Sequence, residues 1–307
     1  MPRRQWPDRS LGGLMNRPVV VGVDGSPASL LAAEHAARAA VLRSRPLHLV
    51  HGYLHPLGYG VPLNPYDVGL PAPTEEAQKM LERTAADLAG RCPGLTVEVR
   101  QVAGGPGATL VEESRRAELV VVGSRGLGGF AGLLLGSVGT QVAAHAHCPV
   151  LVVRPAEEPI PVAGPVLVGV DGSEPAELAV GYAADEAARR GDGLVLVHVQ
   201  PPDGDRPAAD EVTETQAAAH ADSAELLATA AAAVRGSHPG LAVEGRLLRA
   251  PKAEQALVEA SEDAALVVVG SRGRGGFAGL LLGSVSQALV QHAHCPVLVA
   301  RPYGHAR

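Results

Sequence analysis

The sequence predicts an α/β protein built of two tandem doubly wound domains, each a five-stranded parallel sheet with helices on both faces. Three observations carry this: a length of 307 residues, an internal duplication, and within each copy a regular alternation of short apolar runs with helical patterns. A chain of that length suits two domains of about 150 residues. The duplication is explicit. PVVVGVDGS at 18–26 returns as PVLVGVDGS at 165–173, and GSRGLGGFAGLLLGSV from Gly123 returns as GSRGRGGFAGLLLGSV from Gly270. HAHCPVLVVRP likewise returns as HAHCPVLVARP, at the same spacing of 147 residues. Self-similarity of this kind means one structural unit used twice.

The first copy shows the alternation element by element. Val19–Asp24 is a continuous apolar run, as expected of a strand covered on both faces, and Ser26-Pro27 supplies an N-cap and a first-turn proline for a helix through Arg43. A second strand is expected at Leu47–Gly52, a helix from about Thr74 to Ala89, and a third strand at Leu95–Val102. A helix over about Ala108–Arg116, a fourth strand at Leu119–Gly123, a helix from Ser137 and a last strand at Val150–Val153 complete the unit. Parallel neighbours joined by helical crossovers require helices on both faces of the sheet. The proline-rich, aperiodic segment PAEEPIPVAGP sets the boundary, giving domains at 17–155 and 165–303 with a linker at 156–164. Residues 1–16 have no counterpart in the second copy and are expected to form a disordered tail.

Composition narrows the function. A formal net charge of -6 argues against a general nucleic-acid binder, since phosphate repulsion would go unopposed. Three cysteines, Cys92, Cys148 and Cys295, make no disulfide framework, which fits a reducing compartment. Arg3 and Arg4 are followed by QWPDRSLGG rather than an apolar stretch, and runs such as FAGLLLG are far short of a membrane span. The expectation is a cytoplasmic protein without membrane contact.

The motif that carries chemistry is Gly123-x2-Gly126-x9-Gly136-Ser137, repeated as Gly270-x2-Gly273-x9-Gly283-Ser284. It follows a strand and precedes a helix, where open parallel sheets place their ligands. Glycines allow backbone N–H groups to approach phosphate oxygens, and a helix start adds a positive dipole end. Ser137 and Ser284 would add hydroxyls, and Arg125 and Arg272 a neighbouring charge. The competing reading is a glycine-rich surface turn in which Ser137 and Ser284 are ordinary N-caps. Within the chain, the two loops differ from Gly123 to Ser137 and from Gly270 to Ser284 at Leu127 against Arg274 alone, whereas the stretches after the second strands scarcely match. The motif is neither a P-loop, lacking its Gly-Lys-Ser/Thr, nor the dinucleotide G-x-G-x-x-G, so binding is favoured over fast hydrolysis.

G-x2-G-x9-G-[ST], V-G-V-D-G-S and H-C-P-V-L-V together resemble the universal stress proteins, in particular their ATP-binding branch in tandem form. The resemblance covers nearly the whole chain from about residue 17. It implies the strand order 3-2-1-4-5, which sets Asp24 and Gly123 on one crevice, and it implies ATP as ligand, one per domain, with magnesium carried through the phosphates. By the same resemblance Asp24 and Asp171 contact the adenosine part, an Asx turn being the alternative for both. Val199 packs against adenine where Gly52 departs from the pattern, so that the first site holds the base more loosely. Val122, Val138, Val269 and Val285 line the pocket, although as plain sequence they are simply core residues.

Other features are discounted. The pairs His145/His147 with Cys148 and His292/His294 with Cys295 lie at helix-to-strand junctions, where they suit a helix C-terminus better than a metal. His51 and His198 are expected to be satisfied polar groups, and no Ser-His-Asp set is assembled from the sequence. The acidic, alanine-rich stretch from about Ala208 to Val234 is a surface helix. The last strands, PVLVVR and PVLVAR, are hydrophobic edges that the resemblance pairs within the chain, and a homodimer of the whole chain is left open. Three functions compete: a regulatory ATP binder in stress response or growth control with at most slow hydrolysis and an unknown protein partner, an interaction scaffold that has lost the nucleotide, and an ATP-consuming enzyme. The enzyme would need a lysine or metal-binding acid at the loop, and the chain's two lysines, Lys79 and Lys252, lie elsewhere.

Overall fold

The computed structural model describes residues 17–53, 75–126, 135–155, 163–202, 214–273 and 282–304. The expected tail, most of the expected linker and the middle of each glycine loop lie outside the described residues. The chain divides into two compact units, one running to Pro155 and including Pro302 onward, the other spanning Ala156–Arg301.

The first unit runs β1 (Val19–Gly22), α1 (Pro27–Arg43), β2 (Leu47–Tyr53), α2 (Glu75–Arg91), β3 (Val97–Ala103), α3 (Pro106–Glu113), β4 (Leu119–Gly123), α4 (Ser137–His145) and β5 (Val150–Val153). Every pairing is parallel, and the order is β3-β2-β1-β4-β5. Val19 lies opposite Leu47 on one side and Leu119 on the other, so β1 and β4 are neighbours and the chain order reverses between them. The unbroken valine runs follow from this position. Val19, Val20, Val21, Val120 and Val121 are fully buried because helices cover both faces.

The second unit repeats the plan with β6 (Val166–Gly169), α5 (Glu174–Arg190), β7 (Leu194–Gln200), α6 (Glu214–Ser237), β8 (Val243–Arg249), α7 (Ala253–Ala260), a short 3-10 turn over Ser261–Asp263, β9 (Leu266–Gly270), α8 (Ser284–His292) and β10 (Val297–Ala300). Its sheet is also wholly parallel, in the order β8-β7-β6-β9-β10.

Local sequence explains the first helix of each unit. Ser26 Oγ accepts from the Ser29 amide at 3.2 Å with Pro27 in the first turn, and Ser173 Oγ accepts from the Ala176 amide at 3.4 Å with Pro175 behind it. Both helices end in the left-handed region. Gly191 does so at φ 73°, whereas the equivalent position in the first unit is Ser44 at φ 53°. No described helix is long and apolar enough to cross a membrane.

Candidate functional site

The switch point between β1 and β4 opens into a cleft of about 470 Å³ in the first unit. Asp24, Val122, Gly123, Arg125, Gly126, Gly136, Ser137 and Val138 all line it, so the structure brings every first-unit residue singled out in the sequence to one place. Ser29, Val50, His51, Pro106 and Leu110 complete the wall on the β2 side, where it is mainly apolar. The loop side presents backbone instead. A cleft of this size, apolar at one end and polar at the other, has the character of a small-molecule site.

Asp24 forms the Asx turn that was the alternative reading, and its other oxygen is turned to the glycine loop. Its Oδ1 accepts from the Ser26 amide at 3.0 Å, closing the Asx turn that leads into α1, while Oδ2 faces the glycine loop. A Cβ added at Gly126 would stand 2.5 Å from that oxygen, so Gly126 is glycine because the loop presses against the carboxylate. Its φ is not in the left-handed region, and close approach rather than backbone conformation is the reason. Asp171 repeats this, with Oδ1 accepting from the Ser173 amide at 2.9 Å and Oδ2 2.5 Å from a Cβ at Gly273.

Gly123 and Gly270 serve packing. A Cβ on Gly123 would meet the Ala28 carbonyl carbon and oxygen at 2.8 Å, and one on Gly270 the Pro175 oxygen at 2.6 Å, so these glycines let α1 and α5 sit tightly against β4 and β9. Gly136 and Gly283 differ. A Cβ on Gly136 would lie 3.5 Å from the Ser124 oxygen, and one on Gly283 3.4 Å from Arg272 Cα, which is ordinary contact. The protein's own packing therefore leaves room for a side chain at both.

Ser137 and Ser284 are not N-caps. The caps are Gly136 and Gly283, neither helix has a side-chain cap bond, and each serine is the first helical residue. The first turns of α4 and α8 thus present backbone N–H groups and the positive dipole end without a side-chain acceptor. Gly136 N donates to Ser124 O at 2.7 Å and Gly283 N to Ser271 O at 2.9 Å, fixing where each loop re-enters its helix.

Arg154, just beyond β5, is a residue the sequence reading missed. Burial, and then repulsion from Arg125, lower its pKa, so its guanidinium is within electrostatic reach of Arg125. The signal was available in the closing PVLVVR, because β5 pairs with β4 and so ends level with the glycine motif. His51 and His198 prove to be satisfied: each Nδ1–H donates to the carbonyl just past the first strand of its unit, Val23 O at 2.8 Å and Val170 O at 2.6 Å. Val199, next to His198, holds the position of Gly52. A Cβ at Gly52 would stand 2.7 Å from Pro106 Cα, so the first unit gives that space to the start of α3. Val269 and Val285 flank the second loop as Val122 and Val138 flank the first.

A Ser-His-Asp chain does form, contrary to the sequence reading. Ser237 Oγ lies 2.9 Å from His238 Nδ1, and His238 Nε2 lies 3.1 Å from Asp185 Oδ1. It sits at the exposed end of α6, opposite the carboxyl ends of the strands, and Ser237 donates to the carbonyls of Ala233 and Val234. That geometry caps a helix and directs no hydroxyl at a substrate. Among the described residues no group of three or more His, Cys, Asp or Glu could hold a metal ion.

The model of the universal stress protein family matches residues 15–154 and again 163–301, which together make up most of the chain. The chain belongs to the universal stress protein family. It is 40% identical over 300 residues to a universal stress protein of Mycobacterium tuberculosis, covering 92% of this chain and 96% of that one. It is 39% identical over 289 residues to a relative in Mycolicibacterium smegmatis, covering 92% and 97%. A crystal structure of a universal stress protein from Archaeoglobus fulgidus superposes with a TM-score of 0.69 at 23% identity, covering 92% of this chain and 98% of that one, and shows the same fold.

Proposed function

We propose that each unit binds one adenine nucleotide, ATP foremost, and that occupancy is the regulatory signal this stress protein passes to a partner. The observation that carries the reading is the uncapped start of α4 facing a glycine-lined cleft whose Gly136 the protein's own packing does not require. An anion at that helix start accounts for both facts. The backbone of 123–126 and 136–138, with Ser137, would hold the phosphates, Arg125 and Arg154 would offset their charge, and magnesium would accompany them. Asp24 would accept from the ribose hydroxyls, and the apolar wall of Val50, Pro106 and Leu110 would take the base. Lys79 sits on α2 in a pair with Glu75, so no lysine is aimed at the phosphates in this unit, and hydrolysis is slow at most.

Thermal unfolding of the full chain with ATP, GTP and tripolyphosphate tests this. At about one hundred times Kd a ligand that binds the folded state alone adds roughly 2.7 kcal/mol of stability. ATP should raise Tm, tripolyphosphate should do so weakly, and GTP should fall between them. Absence of any shift with millimolar ATP favours a scaffold that has kept the fold without the ligand.

A further inference from the structure

We propose that the last residues of the chain are a strap that locks the base of the first unit, and that its release loosens the roots of the elements carrying the cleft while leaving the second unit as it was, whatever ligand the cleft holds.

The compact units do not part where the sequence repeats. Arg301 still belongs to the second unit, where its carbonyl accepts from the Tyr182 hydroxyl at 3.1 Å, whereas Pro302 onward belongs to the first. Three contacts fasten that short segment. The Gly304 amide donates to His147 O at 2.8 Å, and the Tyr303 hydroxyl donates to Glu118 O at 3.2 Å. The Arg17 guanidinium stands over the Tyr303 ring, with Cζ 5.4 Å from its centroid. Arg17 Nη1 is buried without a hydrogen-bond partner, so the electron-rich ring face takes the place of an acceptor. Gly304 is glycine because of close approach: a Cβ there would stand 3.1 Å from both Cβ and Nδ1 of His147.

The position of these anchors gives the strap its reach. Arg17 leads into β1, Glu118 leads into β4, and His147 follows α4 on the way to β5. The far ends of the same elements carry Asp24, Gly123 and Gly136 around the cleft. Backbone bonds join the roots, Glu118 N donating to Pro18 O at 2.9 Å and Val120 N to Pro149 O at 3.1 Å, and the strap adds its contacts across them. The second unit has the equivalent bonds, from Ala265 N to Pro165 O at 3.1 Å and from Val267 N to Pro296 O at 3.0 Å. Gly164 stands there in place of Arg17, so that unit has no guanidinium to hold an aromatic strap. A ring contact, a hydroxyl bond and a main-chain bond lost together open the base of the first unit locally.

The experiment is amide hydrogen exchange, read by NMR, on the full chain, on a chain ending at Arg301, and on Y303A and R17A. Ending at Arg301 keeps the Tyr182 bond of the second unit. In the shortened chain the amides of Glu118, Val120 and His147 should exchange about tenfold faster, which is some 1.4 kcal/mol, and in Y303A and R17A severalfold faster. The amides of Ala265, Val267 and His294, bonded in the same way in the second unit, should keep the parent's rates within twofold. Equal acceleration in both units reports a general loss of stability and overturns the strap. Parent-like exchange at the three first-unit amides of the shortened chain overturns it as well. Far-ultraviolet circular dichroism checks that each variant is folded, and if the shortened chain is not, Y303A and R17A decide between the same outcomes.

Discussion

Replacing Gly126 with alanine puts the geometry of the first site to a quantitative test. The new methyl group would stand 2.5 Å from Asp24 Oδ2, about 1 Å inside ordinary van der Waals separation. Neither partner can retreat freely, because Asp24 is held through Oδ1 to the Ser26 amide at the start of α1. The loop side must give way, and the backbone N–H groups proposed to hold the phosphates move with it. Loss of one or two charge-assisted hydrogen bonds, each worth about 1.5–3 kcal/mol, weakens the first site by roughly ten- to ten-thousandfold. Gly126 is exposed, so strain is relieved toward solvent and global stability should fall by no more than about 1 kcal/mol. Calorimetry with ATP should then give one equivalent in place of two, with Tm of the free protein nearly unchanged. Two equivalents with unaltered affinities would refute the claim that loop, carboxylate and phosphate share one site.

Asp171→Asn keeps an oxygen for the Ser173 amide but sets an amide group where Oδ2 meets Gly273, so the turn and the Tm should persist while second-site affinity falls at least about tenfold by titration. Ser44→Gly should stabilise the first unit by about 0.5–1 kcal/mol in urea unfolding, because Ser44 holds the left-handed C-cap that Gly191 fills in the second unit. Burial pushes the Cys295 thiol up to about 12, so it should resist alkylation at pH 8 in the folded chain, as read by mass after iodoacetamide. The sign for stability follows from the same shift: the folded state favours the protonated thiol, so its contribution is complete below about pH 9 and is lost between about pH 9 and 12, and Cys295→Ala should flatten that limb of the pH profile.

The fold was legible because its signals are redundant. Valine runs at 19–21 and 120–122 are best buried on both faces in a parallel sheet, and Ser26-Pro27 marks a helix start by local chemistry alone. The duplication then doubled every signal. The crevice residues were legible for the same reason, since motif spacing survives in one dimension. What could not be foreseen was which glycine does what. Gly123, Gly126 and Gly136 look alike in sequence, yet they meet a helix backbone, a carboxylate and open space in turn, and these contacts depend on atoms far away in the chain. Arg154 escaped notice because it lies outside the motif, at the end of a strand whose pairing with β4 the sequence does not display. The Ser237–His238–Asp185 chain escaped because Asp185 lies on α5 while Ser237 and His238 sit at and just past the end of α6, with no pattern linking them.

The central claim is that both units hold nucleotide. It is tested most directly by denaturing the purified full chain, identifying any released nucleotide by mass, and titrating the stripped, refolded protein with ATP by calorimetry. The result expected is two equivalents of ATP per chain. A protein that releases nothing and takes up no ATP would contradict the account and leave the fold as a platform for protein contacts.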